Sequence, residues 1–173
     1  ICRFNNSRLG LVEGDKVYDV SEAADVVGAD KWPAPPGDPL IRNLAEVVTE
    51  IRRIRPGAQT QPLADVTLHN PIVAPTKIMA APANYRLHLT IDAQDPSLHH
   101  GVHTGLEKID RPVEQLGMFL KASSSAVGPS EGFAIRWPER RNDHEVELAV
   151  VIGKGGSNIS KDNAFDHIAG YMI

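Results

Sequence analysis

Glu145 and Glu147, in the stretch DHEVELAVVIGK (residues 143–154), are two carboxylates separated by one residue. In a strand, side chains alternate between faces, so the pair would share one face with Asp143, Ala149 and Val151, with Cβ atoms ~6.6 Å apart. Carboxylates so placed can converge on one hard cation, which takes oxygen ligands at roughly 2.0–2.6 Å. The plainer reading is a solvated edge strand of alternating charge. A wholly solvated face would stay polar to its end. The switch to Ala149 and Val151 therefore predicts a face that runs from a wet cleft into a core, with Asp143 at its outer end. In NYRLHLTID, His88 stands four residues before Asp92. One turn of helix would place both on one face, where the acid could hold the imidazole in the tautomer a general base needs. The alternative is a surface helix with an incidental pair. Tyr85 and Lys121 are the candidates for substrate contact. Lys121 follows an apolar run and precedes three serines, and it either binds an anion or simply reaches solvent. His99, His100 and His103 have spacings compatible with a transition metal but no carboxylate or cysteine nearby, so loop histidines are the favoured reading. GKGGSN lacks the spacing of a phosphate-binding loop and reads as a turn.

The elements that must position these residues fall into two parts. ICRFNNSRLGLVEGDKVYDVS predicts a small β-meander broken at Asn5-Asn6 and Gly14-Asp15, and SEAADVVGAD a short capped helix ending near Gly28. After a Pro-rich connector, Leu40, Leu44, Val47, Val48, Ile51 and Ile54 recur at helical spacing and predict one helix ending at Arg55, before Pro56-Gly57. A second module is expected to start near Pro71, giving domains 1–70 and 71–173. Within it, Lys77–Ala81 reads as a strand, residues 88–117 as a long polar flap, and MFLKASSSAVG as a buried strand. PSEG follows as a turn, and Ser160 should cap a helix over KDNAFDHIA that stops at Gly170. GYMI opens another apolar strand.

Composition narrows the classes. With 173 residues, 42% hydrophobic and 23% charged, the chain is globular and can bury one sizeable core or two small ones. A net charge of −4 gives no footprint for nucleic acid. The lone Cys2 permits no internal disulfide and no cysteine zinc cage, which suits a reducing compartment, and a cytoplasmic location is expected. No apolar run approaches the ~20 residues of a membrane span, so no membrane role is expected.

PTKIMAAPANYRLH, MFLKASSSAVGP and NDHEVELAVVIGKGGSNISKDNAFDHIAGYMI, in that order, closely resemble the fumarylacetoacetate hydrolase family from about Pro71 to Ile173. The E-x-E-L-x-V-V-I-G-K and A-G-Y blocks are the most specific parts; residues 1–70 resemble, less closely, the small β-rich N-terminal module of many members. The resemblance implies a mixed β fold with short helices (α+β), whose catalytic domain is a β-roll or β-sandwich around a metal, and a homodimer or higher oligomer. It implies Mg²⁺, Mn²⁺ or Ca²⁺ held by Glu145, Glu147 and a later aspartate, with His88 activating water or moving a proton. Many members carry a glutamate three residues after that histidine; here the position is Ile91, and Asp92 is the available substitute. In the family the third ligand and the Arg, Gln and Lys that bind substrate come after the G-Y-x-x strand, so the remainder of the catalytic domain is expected beyond Ile173, and residues 1–173 alone are expected to be inactive. The implied activity is metal-dependent cleavage of a C–C bond in a β-diketo or 2-oxo acid, of the fumarylacetoacetate or acylpyruvate type. The alternatives are isomerisation or decarboxylation of a 2-oxo-dioate in aromatic catabolism, and, in another class, a non-catalytic binding module.

Overall fold

The computed structural model describes residues 1–82, 84–94, 108–110 and 112–173, with the side chains of residues 88, 92, 93 and 112 outside the description. The chain divides into two compact units, Ile1–Thr76 together with Ala126–Ile173, and Lys77–Ser125. The first carries an antiparallel sheet of β1 (Cys2–Phe4), β2 (Arg8–Glu13), β3 (Lys16–Asp19), β4 (Thr60–Pro62) and β5 (Leu68–His69), in the order β4-β3-β2-β1-β5. The expected meander is present. Its turns use Asn5, Ser7 and Gly14 at positive φ, where short polar residues and glycine meet least steric resistance.

Both faces of this sheet are covered, as period two requires. On one, Leu9 packs with Val20, Ala23, Val47 and Ile51; on the other, Cys2, Phe4, Val17 and Val66 form a second cluster. Gly10 sits opposite Cys2, where a Cβ would come within 2.7 Å of the Cys2 Sγ and of Val17, so only glycine fits. Burial pushes the Cys2 thiol pKa up. The single helix expected over 40–55 is divided into α1 (Pro39–Arg42) and α2 (Leu44–Ile54). The break lies at Asn43, whose side chain turns back to donate to the Pro39 carbonyl at 2.8 Å. The helical spacing still holds across α2, which buries Val47 and Ile51. The helix expected over residues 21–28 is a 3₁₀ turn, Ser21–Val26. Ser21 does not cap it: its hydroxyl donates to the Asp19 carboxylate at 2.7 Å and accepts from Leu9 N–H.

In the same unit, β8 (Ala149–Ile152) and β9 (Ile168–Met172) form an antiparallel ribbon, with Val150 opposite Tyr171. The segment expected as a Ser160-capped helix is a 3₁₀ turn, Lys161–His167, without a side-chain cap. An apolar groove of about 270 Å³ is lined by Leu40, Leu44 and Val48 of the helices and by Val151, Tyr171 and Met172 of the ribbon, among others. The second unit holds β6 (Ile78–Ala80) paired with β7 (Phe119–Lys121), and the helices α3 (Arg86–Gln94) and α4 (Pro112–Leu116). The strand expected to be buried here is exposed instead: Leu120 is 69% accessible, because β7 has one partner strand and no described layer over its faces.

Candidate functional site

The strand expected from Asp143 onward begins only at Ala149. Among the described residues, 143–147 have no partner strand, because β9 pairs with Ala149–Ile152, and backbone without a partner strand is not held in a sheet. Glu145 and Glu147 therefore lie on irregular, exposed chain leading into β8. Of the face expected to run into a core, Ala149 is exposed, while Val151 is half-buried and lines the apolar groove. Asp143 is engaged by Arg141, whose Nε donates to it at 2.8 Å. Among the described residues neither Glu145 nor Glu147 has an ion pair or hydrogen-bond partner. Two free carboxylates with hard oxygen donors, one residue apart, fit part of a Mg²⁺ or Mn²⁺ coordination shell. No cluster of three metal-ligating side chains occurs among the described residues.

The other expected site residues belong to the second unit. The α3 backbone follows Tyr85, whose carbonyl accepts the Leu89 N–H at 3.2 Å, and Leu89 is buried. His88 and Asp92 both lie within this nine-residue helix, so their four-residue spacing places them one turn apart on one face. Their side chains lie outside the described residues, as do His99, His100, His103 and most of the expected flap. Tyr85 is 44% exposed, and Ile91, at the position where many members carry a glutamate, is also accessible. Lys121 ends β7 with its ammonium 5.8 Å from the Phe119 ring, two residues back on the same strand face.

Two further arrangements went unread in the sequence. In the first, the expected PSEG turn is docked on β5. Ser130 N–H donates to the Leu68 carbonyl and its hydroxyl accepts the Leu68 N–H, while Glu131 Oε1 lies 2.5 Å from His69 Nδ1. His69 Nε2 faces the Asn5 carbonyl at 2.7 Å, so each ring nitrogen lies against an oxygen. The His69 hydrogen bond, and next the Gly128 N–H at 2.6 Å, hold the Glu131 carboxyl below its usual range. In the second, the guanidinium carbons of Arg136 and Arg140 lie 4.9 and 4.8 Å from the centroid of the Trp137 ring. The available signal was Trp-Pro-Glu-Arg, a turn sequence with Pro at its second position.

Residues 71–173 match the family described as fumarylacetoacetate (FAA) hydrolase, C-terminal. The maleylpyruvate hydrolase of Aquipseudomonas alcaligenes is 44% identical over all 173 residues, which cover 59% of that protein. An oxaloacetate tautomerase of Bacillus subtilis is 32% identical over 167 residues, covering 94% of this chain and 43% of the relative. Among solved structures, maleylpyruvate hydrolase from Sphingobium sp. SYK-6, in complex with manganese(II) and pyruvate, superposes with a TM-score of 0.68 at 31% identity, over 98% of this chain and 55% of that one. The chain thus spans roughly half the length of these relatives. With its family match covering residues 71–173 and the mixed β architecture shared with a solved member, the chain belongs to the fumarylacetoacetate hydrolase family.

Proposed function

We propose that the protein is a divalent-metal-dependent hydrolase that cleaves a C–C bond in an acylpyruvate-type 2-oxo acid. One observation carries the choice of hydrolase: the 44% identity to a maleylpyruvate hydrolase runs the whole length of the chain, through the N-terminal module as well as the family region. The Bacillus subtilis tautomerase, at 32% identity, favours a second reading in which the same site moves a proton on a 2-oxo-dioate without breaking the carbon chain. Residues 1–70 form the small N-terminal module and 71–173 the first part of the catalytic domain in this reading, and the working protein is a homodimer.

Glu145 and Glu147 would hold Mg²⁺ or Mn²⁺ through their unpaired carboxylates. Such an ion, when bound, would supply fixed positive charge where negative charge develops on the substrate's oxygen as the C–C bond breaks. His88 would take a proton from the attacking water, with Asp92 one turn away fixing the imidazole tautomer. Hydroxide adds to the acyl carbonyl, the C–C bond breaks, and the departing enolate accepts the proton, so water is added across the bond. Tyr85 and Lys121 contact the substrate, Lys121 by charge with a carboxylate. The test is steady-state turnover of an acylpyruvate by the full-length protein with Mn²⁺. Glu145→Gln is expected to bind Mn²⁺ more weakly by electron paramagnetic resonance and to lose turnover; equal rates in variant and parent would refute the metal role. His88→Ala should lower kcat roughly 100- to 10,000-fold. An unchanged rate there removes the base assignment alone.

A further inference from the structure

Building on that reading, we infer that the turn bearing Arg136, Trp137 and Arg140 is a carboxylate-binding element, which receives the second carboxylate of a dicarboxylic substrate whose 2-oxo acid end is handled at Glu145 and Glu147. The turn is rigidly made. Pro138 fixes φ at its second position, and the Arg140 N–H closes it onto the Trp137 carbonyl at 3.1 Å. The Asn142 amide then donates to the Trp137 carbonyl at 3.2 Å and to the Arg140 carbonyl at 2.6 Å. Closing the turn returns Arg140 to the indole that Arg136 already covers, with both guanidinium carbons within 5 Å of its centroid.

Stacking uses a guanidinium's flat face and leaves its in-plane N–H groups unspent. Among the described residues neither Arg136 nor Arg140 has a carboxylate partner, and Glu139, in the turn itself, pairs with neither. The adjacent Arg141 shows the contrast, since Asp143 occupies it. Each guanidinium held against the ring therefore keeps a fork of N–H groups whose geometry matches a carboxylate. Nucleic acid is a poor fit, because two arginines in a chain of net charge −4 make too small a basic footprint. The position suits a substrate role. Arg140 precedes Glu145 by five residues, so their Cα atoms are at most ~18 Å apart, a gap that an arginine side chain and a dicarboxylic acid can close together.

The experiment measures kcat/KM of the full-length protein with Mn²⁺ on a dicarboxylic acylpyruvate and on its monocarboxylic analogue of equal chain length. In the double variant Arg136→Ala/Arg140→Ala, the ratio of the two is expected to fall roughly 10- to 100-fold, carried by KM. Arg140→Lys, which keeps the charge but not the fork, should fall between. An unchanged ratio overturns the inference, whatever happens to the absolute rates. If the parent protein turns over neither substrate, the proposed hydrolase reading has failed on its own. The inference is then decided by calorimetry with maleate: binding by the parent that weakens at least ~10-fold in the double variant supports it, and no binding, or equal binding, overturns it.

Discussion

Asp38 shows how much one carboxylate can organise. It is 5% exposed, and its Oδ1 accepts from the N–H groups of Leu40 and Ile41 at 3.0 and 3.4 Å, while Oδ2 accepts from those of Val73 and Ala74 at 2.7 and 3.1 Å. One oxygen caps α1; the other pins the stretch where the family match has just begun. Asp38→Ala would strand all four donors, some of which water can reach, and should destabilise the protein by about 2–4 kcal/mol. Asp38→Asn, which keeps one acceptor oxygen, should cost about half as much. Urea midpoints at constant slope would measure both, and a loss under ~0.5 kcal/mol for the alanine variant would mean the carboxylate is incidental. The cap itself is legible in Asp-Pro. The partners 35 residues on are not, since no local pattern encodes a contact that exists only after folding. The same division applies to the candidate site: Glu145 and Glu147 are singled out by residue type and spacing alone, whereas the Arg136–Trp137–Arg140 stack depends on a turn closing.

At the scale of elements, periodicity told which residues share a face but not where an element stops. α2 followed its apolar spacing closely. The strand through Glu145 did not, because alternation can be written into chain that has no neighbour to pair with, and β8 starts only where β9 meets it. The two helices expected from caps became 3₁₀ turns; Ser21 spends its hydroxyl on Asp19 and Leu9 rather than on the helix start. The turn from Gly128 to Glu131, clipped to β5 through His69, makes a testable element. A carboxyl whose pKa is depressed by folding contributes stability above its unfolded pKa and loses that contribution as pH falls through the folded value. Glu131→Gln is thus expected to melt below the parent protein at pH 6, with the two melting curves converging as the pH drops below the ordinary glutamate value of 4.5. Scanning calorimetry between pH 3 and 7 would show it, and a gap that persists undiminished at pH 3 would assign the difference to packing instead.

At the scale of the whole molecule, apolar side chains stand on the surfaces of both two-stranded ribbons. Val150 and Ile152 are 46% and 62% accessible on β8, and Leu120 69% on β7. Ribbons of two strands are marginal by themselves in water, and open strand edges invite pairing. A polypeptide of residues 1–173 is accordingly expected to self-associate with rising concentration in sedimentation velocity, and the double variant Val150→Thr/Ile152→Thr to do so less; a monodisperse monomer at high concentration would contradict this. Mixed β architecture with short helices was legible from the start, since meander turns and strand runs are local signals. The docking of the segment at Gly128 was not. There a Cβ would stand 2.3 Å from the His69 Cα, while Ser130 and Glu131 bond to Leu68 and His69. The strand that completes the N-terminal sheet is therefore also the seat of a segment encoded sixty residues later. Exchanging the leading module between relatives, in a laboratory chimaera or by recombination over evolution, has to transfer the Gly128–Glu131 segment with it. A crossover made at residue 70 alone would inherit a seat and its occupant from different parents.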